Sequence, residues 1–270
     1  LDTTTVRNVF NFTPTFDFRY NFSKTSQLRL RYRGQASQPN MVDLLPISDN
    51  TDPLNIQNGN PGLKPTFTNE LRAEYNFFNT EKQRGMFSFF RYQNIMNNIS
   101  DRKVYDPETG GYVTTPENIN GNWNLTGMVG TNIALRNKKY TINTFTRANY
   151  QNMVSYISEK DLVSDTDKNI TKRLSLGERI RGTYRNDWWE FSLNGSLDYT
   201  HSRNSYQESN NLDTYQFAYG ASTNVRLPWN MSISTDLSQN SRRGYAESSM
   251  NTDELIWNAQ ISQDFLKGNA

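Results

Sequence analysis

Apolar and polar residues alternate one by one along most of this sequence, and this period of two constrains the fold more than any other feature. A strand places alternate residues on the same face, whereas a helix scatters them around its circumference. The pattern therefore predicts strands, and it recurs in about eleven segments between residue 10 and the end of the chain. In the first segment every aromatic residue is at an even position: Phe10, Phe12, Phe16, Phe18, Tyr20 and Phe22.

The connections between these segments alternate strictly between short and long. An up-and-down meander with tight turns at one end and large loops at the other has this order by construction, whereas Greek-key crossovers do not. We therefore predict an all-β fold, a transmembrane antiparallel up-and-down β-barrel of which about eleven strands are present. The short connections are Ser23–Thr25, Asn79–Gly85, Arg136–Lys139, Arg185–Asp187, Pro228–Asn230 and Lys267–Asn269; the long ones are Gly34–Pro65, Asn97–Gly121, Ser158–Thr171, His201–Asp213 and Gln239–Asp253.

Composition agrees with a barrel and excludes other classes. The mean hydropathy is −0.83, and no apolar run approaches the roughly 18 residues that a membrane-spanning helix needs, which excludes a helical inner-membrane protein. A barrel strand needs only every second residue to be apolar, so its average stays polar. The absence of cysteine excludes disulfides, thiolate zinc sites and thiol nucleophiles in this segment. A soluble β-sandwich remains the main alternative fold.

Two local patterns refine the prediction. Aromatic residues concentrate beside the short turns, as expected for rings at the headgroup level of a bilayer. Residues 99–105 and 112–119 flank the turn-forming run Asp106–Gly111, so the loop that contains them should form a β-hairpin. The aromatic residues beside the turns are Phe22, Phe77, Phe78, Tyr140, Tyr184, Trp188, Trp189 and Trp229.

The segment from Gln38 to Phe78 resembles the TonB-dependent receptors, a family of outer-membrane β-barrels. The most specific part of the resemblance is a run of sequence Gly-Asn-Pro-x-Leu-x-Pro. Its family-motif residues are Gly59, Asn60, Pro61, Leu63 and Pro65. Leu255 to Asn258, followed by Phe265 to Lys267, is similar to the penultimate strand region of that family.

The resemblance implies a bacterial outer-membrane barrel of 22 strands, an internal plug domain and energy coupling through the TonB system. We therefore expect residues 1–270 to be one incomplete barrel segment, without the plug, the first half of the barrel or the closing strand. The implied function is uptake of an extracellular nutrient through the loops at 34–65, 97–121 and 239–253. The alternative is a receptor-like barrel that serves as a structural or assembly subunit. Outer-membrane lipid, and a surface lipoprotein or a larger outer-membrane complex, are the expected partners.

Charged residues of one parity should line the lumen of such a barrel. The set consists of Arg29, Arg31 and Arg33 with Glu70, Arg72 and Glu74 on the neighbouring strand. Opposite charges on paired strands stabilise by roughly 0.2 to 1 kcal/mol per pair. These side chains either line the wall, hold the plug or guide a ligand, so they are the candidate ligand-binding residues. Nucleic-acid binding is disfavoured because the net charge is only +2.

Catalytic and metal sites are not expected. The single histidine, His201, is adjacent to Ser202 and three residues after Asp198, but neighbouring strand residues point to opposite faces, so a solvated loop histidine is favoured over a catalytic triad. Asp161, Asp165 and Asp167 could hold calcium, yet the loop lacks the glycine and the distal glutamate of an EF-hand. We therefore predict no enzymatic activity, no metal and no cofactor.

Overall fold

A computed structural model describes residues 11–135, 138–156, 168–206 and 211–263. Within these ranges the chain folds into fifteen strands joined by loops and three short 3-10 turns at Val42–Leu44, Pro228–Asn230 and Ser248–Met250. No helix among the described residues is long and apolar enough to cross a membrane. The strands are β1 (Thr15–Ser23), β2 (Ser26–Ser37), β3 (Ser48–Asp49), β4 (Asn55–Asn58), β5 (Thr66–Asn79), β6 (Arg84–Met96), β7 (Asn98–Tyr105), β8 (Tyr112–Ile119), β9 (Asn122–Leu135), β10 (Tyr140–Tyr156), β11 (Lys168–Arg185), β12 (Trp189–Asn204), β13 (Leu212–Leu227), β14 (Met231–Arg243) and β15 (Asp253–Gln263).

Eleven of the strands form one antiparallel sheet in which each strand pairs with its neighbours in up-and-down order. This main sheet runs β1-β2-β5-β6-β9-β10-β11-β12-β13-β14-β15. The predicted all-β, up-and-down architecture is therefore confirmed, as is the count of about eleven principal strands. Among the described residues β1 and β15 are free edges, so the sheet is not closed, and nothing supports the number 22.

The register of the main sheet separates its two faces. One row of the apolar face passes from Phe18 through Leu30, Ala73 and Phe90 to Gly127 on five adjacent strands. Among the described residues no second layer of protein covers the apolar face, and many of its side chains are exposed, among them Leu193, Tyr219 and Trp257. A soluble sandwich covers such a face with a second sheet, so this alternative is wrong.

Hydrophobic burial is correspondingly small. In the described ranges only four hydrophobic side chains are buried, and they lie at the loop ends of the structure or within the sheet rather than in a core between layers. They are Leu63, Ile119, Ala134 and Val154.

The connections alternate in length as predicted, with two to four residues at one end of the main sheet and longer segments at the other. Four of the five long connections are shorter than expected, because β2 continues to Ser37, β11 begins at Lys168, β12 continues to Asn204, β13 begins at Leu212 and β14 continues to Arg243. Strand pairing continues here after the apolar alternation has stopped, because ladder hydrogen bonds do not require apolar side chains. Phe10, Arg136, the candidate calcium ligands Asp161, Asp165 and Asp167, and Phe265 to Asn269 lie outside the described residues.

The first two long connections fold together into a second sheet of four strands, β3-β4-β8-β7. We call this sheet, with the loops that join its strands, the outer cap. The predicted hairpin is confirmed, since β7 and β8 pair antiparallel from Asn98 opposite Ile119 to Tyr105 opposite Tyr112. Parallel pairing of β4 with β8 then joins one connection to the other.

Aromatic rings form a belt at each end of the apolar face. The belt beside the short turns agrees with the prediction and includes Tyr140 and Tyr184, whose ring centres lie 5.0 Å apart. The belt near the long loops was missed by the sequence analysis. It includes Trp123 and Tyr150 at 5.2 Å and Tyr199 and Tyr215 at 4.8 Å. Girdles at both interfaces are typical of outer-membrane barrels.

Candidate functional site

Three arginines occupy equivalent positions on adjacent strands of the polar face. Arg31 of β2 lies opposite Arg72 of β5, and Arg72 lies opposite Arg91 of β6. We call these three residues the arginine row. Side chains that lie directly opposite on neighbouring strands have Cβ atoms about 4.5 to 5.5 Å apart, and like charges in this position repel.

Two carboxylates neutralise part of the row. Asp17 of β1 accepts hydrogen bonds from Arg29 Nε at 3.1 Å and from Arg31 Nε at 3.4 Å. Glu70 lies beside Arg72, with 2.8 Å between Oε1 and Nε. The N–H of Arg72 does not point at that oxygen, because Arg72 Nε makes no hydrogen bond to any described residue. Arg91 Nε is also buried without a described partner.

The six residues that were predicted to line the lumen lie on one face of the main sheet. Their ion pairs differ from the expected ones, which were between opposite charges on the two paired strands. Arg29 lies opposite Glu74 and Arg33 opposite Glu70 in the register. In the described part of the chain, however, the ion pair that forms among these six residues joins Arg72 to Glu70, which lies on the same strand. Their role in ligand binding stays a prediction.

Sequence reasoning missed two members of this site. Asp17 takes part because β1 pairs with β2 in a register that places it opposite Arg31. Arg91 was missed because Phe87 and Phe89 share its parity, which obscures the polar face of residues 86–95. Its position opposite Arg72 depends on the pairing of β5 with β6.

The family-motif residues lie in the outer cap and hold its two loops together. Asn60 donates from Nδ2 to the carbonyl of Pro116 at 2.9 Å, and Leu63 is fully buried. Gly59 passes so close to Leu45 that a Cβ atom would lie 1.9 Å from its carbonyl oxygen. Pro61 and Pro65 complete the motif, and Pro65 immediately precedes β5.

Asn118 makes the reciprocal contacts from the second loop. Its Oδ1 accepts a hydrogen bond from the Lys64 amide at 2.7 Å, and its Nδ2 donates to the Lys64 carbonyl at 3.0 Å and the Asn97 carbonyl at 2.9 Å. The motif segment is therefore clamped to the end of β8. The geometry explains these residues as a latch between loops.

His201 belongs to a polar cluster at the long-loop end of β12 and β13. The prediction of a loop position is wrong, because His201 lies within β12 and directly opposite Asp213. His201 Nδ1 lies 2.6 Å from Asp213 Oδ1, which also accepts a hydrogen bond from Tyr199 at 2.9 Å. Asp198 and Ser202 have the opposite parity on the strand and take no part, so these residues do not form a triad.

A sequence model of the outer membrane protein beta-barrel family matches residues 1–158. The chain belongs to this family. The assignment, with the two-faced sheet described above, places the protein in the bacterial outer membrane, as predicted. Contact with membrane lipid follows from this location.

Other comparisons contribute less. No curated protein matches this sequence. One solved structure that matches is LpxR from Salmonella typhimurium, with 9% sequence identity, 93% of this chain and 88% of the LpxR chain covered, and a TM-score of 0.26. A likeness of this quality carries no argument about the activity of this chain.

Two functional predictions need correction. The prediction of a TonB-dependent nutrient receptor is wrong, because the matched family is the outer membrane protein beta-barrel family and nothing supports a plug domain or a TonB partner. The prediction that the chain is not an enzyme is withdrawn as well, because the comparisons do not support it. The first of these two predictions came from the resemblance of the Gly-Asn-Pro run to the TonB-dependent receptors. In the structure this run helps to join the two loops of the outer cap.

Proposed function

We propose that this chain forms part of the wall of a closed transmembrane β-barrel, in which the apolar face contacts lipid and the polar face lines a water-filled lumen. The observation that carries the proposal is that apolar and polar side chains lie on opposite faces along most of the main sheet, with Phe87 and Phe89 on β6 and Glu178 on β11 as exceptions. On this proposal the barrel presents the arginine row to polar solutes inside the membrane and the outer cap to the cell surface. Long loops face outward in barrels of this kind.

The spacing of the aromatic belts supports a membrane-spanning orientation. Tyr140 and Tyr150 are ten residues apart on β10, and Trp189 and Tyr199 are ten apart on β12. Ten residues extend about 33 Å along a strand, and a tilt of about 40° reduces this to a height of about 25 Å. That height equals the apolar band of outer-membrane barrels, about 25 Å.

Closure requires further strands. The backbone groups at the edges β1 and β15 cannot be satisfied by lipid, where each unpaired group costs several kcal/mol. With eleven antiparallel strands, β1 and β15 run in the same direction, so an antiparallel barrel needs an odd number of additional strands between them. Residues 1–270 are on this proposal a single wall segment, and the total number of strands is a quantity to measure.

The absence of cysteine makes the two faces easy to test. Ser175 and Leu176 are adjacent on β11 and point to the polar and the apolar face, respectively. In proteoliposomes, a charged thiol reagent that cannot cross lipid should label Ser175→Cys rapidly and Leu176→Cys slowly. A reagent confined to the lipid phase should show the opposite preference. Equal labelling of the two variants, or the reverse order, would sink the proposal.

A further inference from the structure

We propose that the arginine row Arg31–Arg72–Arg91 is a binding site for a polyvalent oxyanion, such as a phosphate group. This inference rests on the proposed function, because the anion must reach the polar face from water. It goes further by naming the chemistry of the ligand and the residues that bind it.

The first argument concerns charge. Arg31, Arg72 and Arg91 lie opposite one another on three adjacent strands, and among the described residues the carboxylates in contact with them are Asp17 and Glu70. Asp17 is shared, because it makes its shorter hydrogen bonds to Arg29. In the described part of the chain Arg91 has no acidic partner within 4 Å. Like charges placed directly opposite destabilise a sheet, so the row is best explained by an anion that bridges it.

The second argument concerns hydrogen bonds. Buried polar groups in folded proteins are nearly always satisfied, and each exception calls for an explanation. Arg72 Nε and Arg91 Nε are two such exceptions, and they belong to residues that lie opposite each other on paired strands. An anion held between these two guanidinium groups would supply the acceptor that both donors lack among the described residues.

The third argument concerns the choice of ligand. A guanidinium group offers a rigid planar set of donors that matches the oxygens of phosphate or carboxylate in bidentate fashion. It has no acceptor, so a metal cation or a hydrogen-bond donor is not bound. Neighbouring strands lie about 4.8 Å apart, which allows one tetrahedral oxyanion to receive hydrogen bonds from two adjacent arginines.

The test uses the full protein in detergent with inorganic phosphate as the probe. Isothermal titration calorimetry should detect phosphate binding to the wild type at constant ionic strength, with chloride as the reference anion. The double variant Arg72→Gln/Arg91→Gln should bind phosphate at least about 10-fold more weakly. Arg181→Gln is the matched control, since Arg181 is also on the polar face but lies between Asn143 and Asn194 in the register. This control should keep the wild-type affinity.

Thermal unfolding supplies a second measurement, in which the double variant should exceed the wild type although it binds phosphate more weakly. In chloride alone the double variant should unfold at a higher temperature than the wild type, because the repulsion within the row is removed. Phosphate should raise the unfolding temperature of the wild type and so remove this difference, because the bound anion stabilises the folded state.

The outcomes separate the two proposals. If Ser175→Cys reacts with the water-soluble reagent but wild-type protein binds no phosphate, or if Arg181→Gln loses as much affinity as the double variant, the anion site is wrong and the lumen wall stands. If Ser175→Cys does not react, the lumen wall fails and the anion site fails with it.

Discussion

Arg147 of β10 and Asp198 of β12 form an ion pair across the strand that lies between them, with 2.6 Å from Nη2 to Oδ1. The residue of β11 at this level is Gly177, which lies opposite Arg147 on one side and Asp198 on the other. A Cβ atom at position 177 would lie 2.6 Å from Arg147 Nε and 2.7 Å from Asp198 Oδ1. The missing side chain of Gly177 is therefore what allows this pair to form.

Replacing Gly177 tests the relationship. Gly177→Ala should break the Arg147–Asp198 pair and destabilise the barrel relative to Gly182→Ala, a control on the same strand with nothing within 4 Å of its Cβ position. Because both charged side chains are partly exposed, the difference should be about 1 kcal/mol or less. Urea unfolding in lipid vesicles measures it. Arg147→Gln should cost less in the Gly177→Ala background than in the wild type, and equal costs would contradict the assignment.

The latch of the outer cap depends on Asn118. Asn118→Ala should remove the hydrogen bonds to Lys64 and Asn97, and release the motif segment from β8 while the main sheet stays folded. The Lys64 amide should then exchange its hydrogen at least about 10-fold faster. Asn55→Ala is the control, because among the described residues the Asn55 side chain bonds within its own loop, to Asp52. Unchanged exchange at Lys64 in the Asn118 variant would show that the two loops associate without this latch.

Glu178 is a charged residue on the apolar face, where it lies opposite Thr146 and Leu197 and accepts a hydrogen bond from the Thr146 hydroxyl. An ionised side chain in contact with lipid is unfavourable near the bilayer midplane, although less so for acidic than for basic residues. Glu178→Leu should therefore stabilise the inserted protein, by about 1 kcal/mol, as measured by urea unfolding from vesicles. A loss of stability would indicate that this part of the apolar face contacts a polar partner instead of lipid.

The hairpin of the outer cap should depend on pH through Asp106. The backbone N–H of Glu108 and the hydroxyl of Thr109 both donate to its carboxylate and hold the pKa of Asp106 below its usual value of 3.8. A lowered folded-state pKa means that the carboxylate stabilises the turn above the unfolded pKa, and that this contribution is lost as the pH falls through the folded pKa. The turn should therefore loosen below about pH 4. Amide chemical shifts of Glu108 across an acid titration provide the measurement, and Asp106→Asn should remove the transition.

The sequence alone determined the eleven strands of the main sheet, their up-and-down order and, except on β6, the apolar and polar side of each strand, because alternation and loop length are local properties of the chain. The tertiary structure decided which residues meet. Arg91 joins Arg72, Asp17 joins Arg31, and Asn118 joins Lys64 only because particular strands and loops pair in a particular register, and pairing between distant segments leaves no local signal. The Gly-Asn-Pro run is a further example. Its residue types predicted a turn, but its contacts between the two loops depend on a segment more than fifty residues away in the sequence.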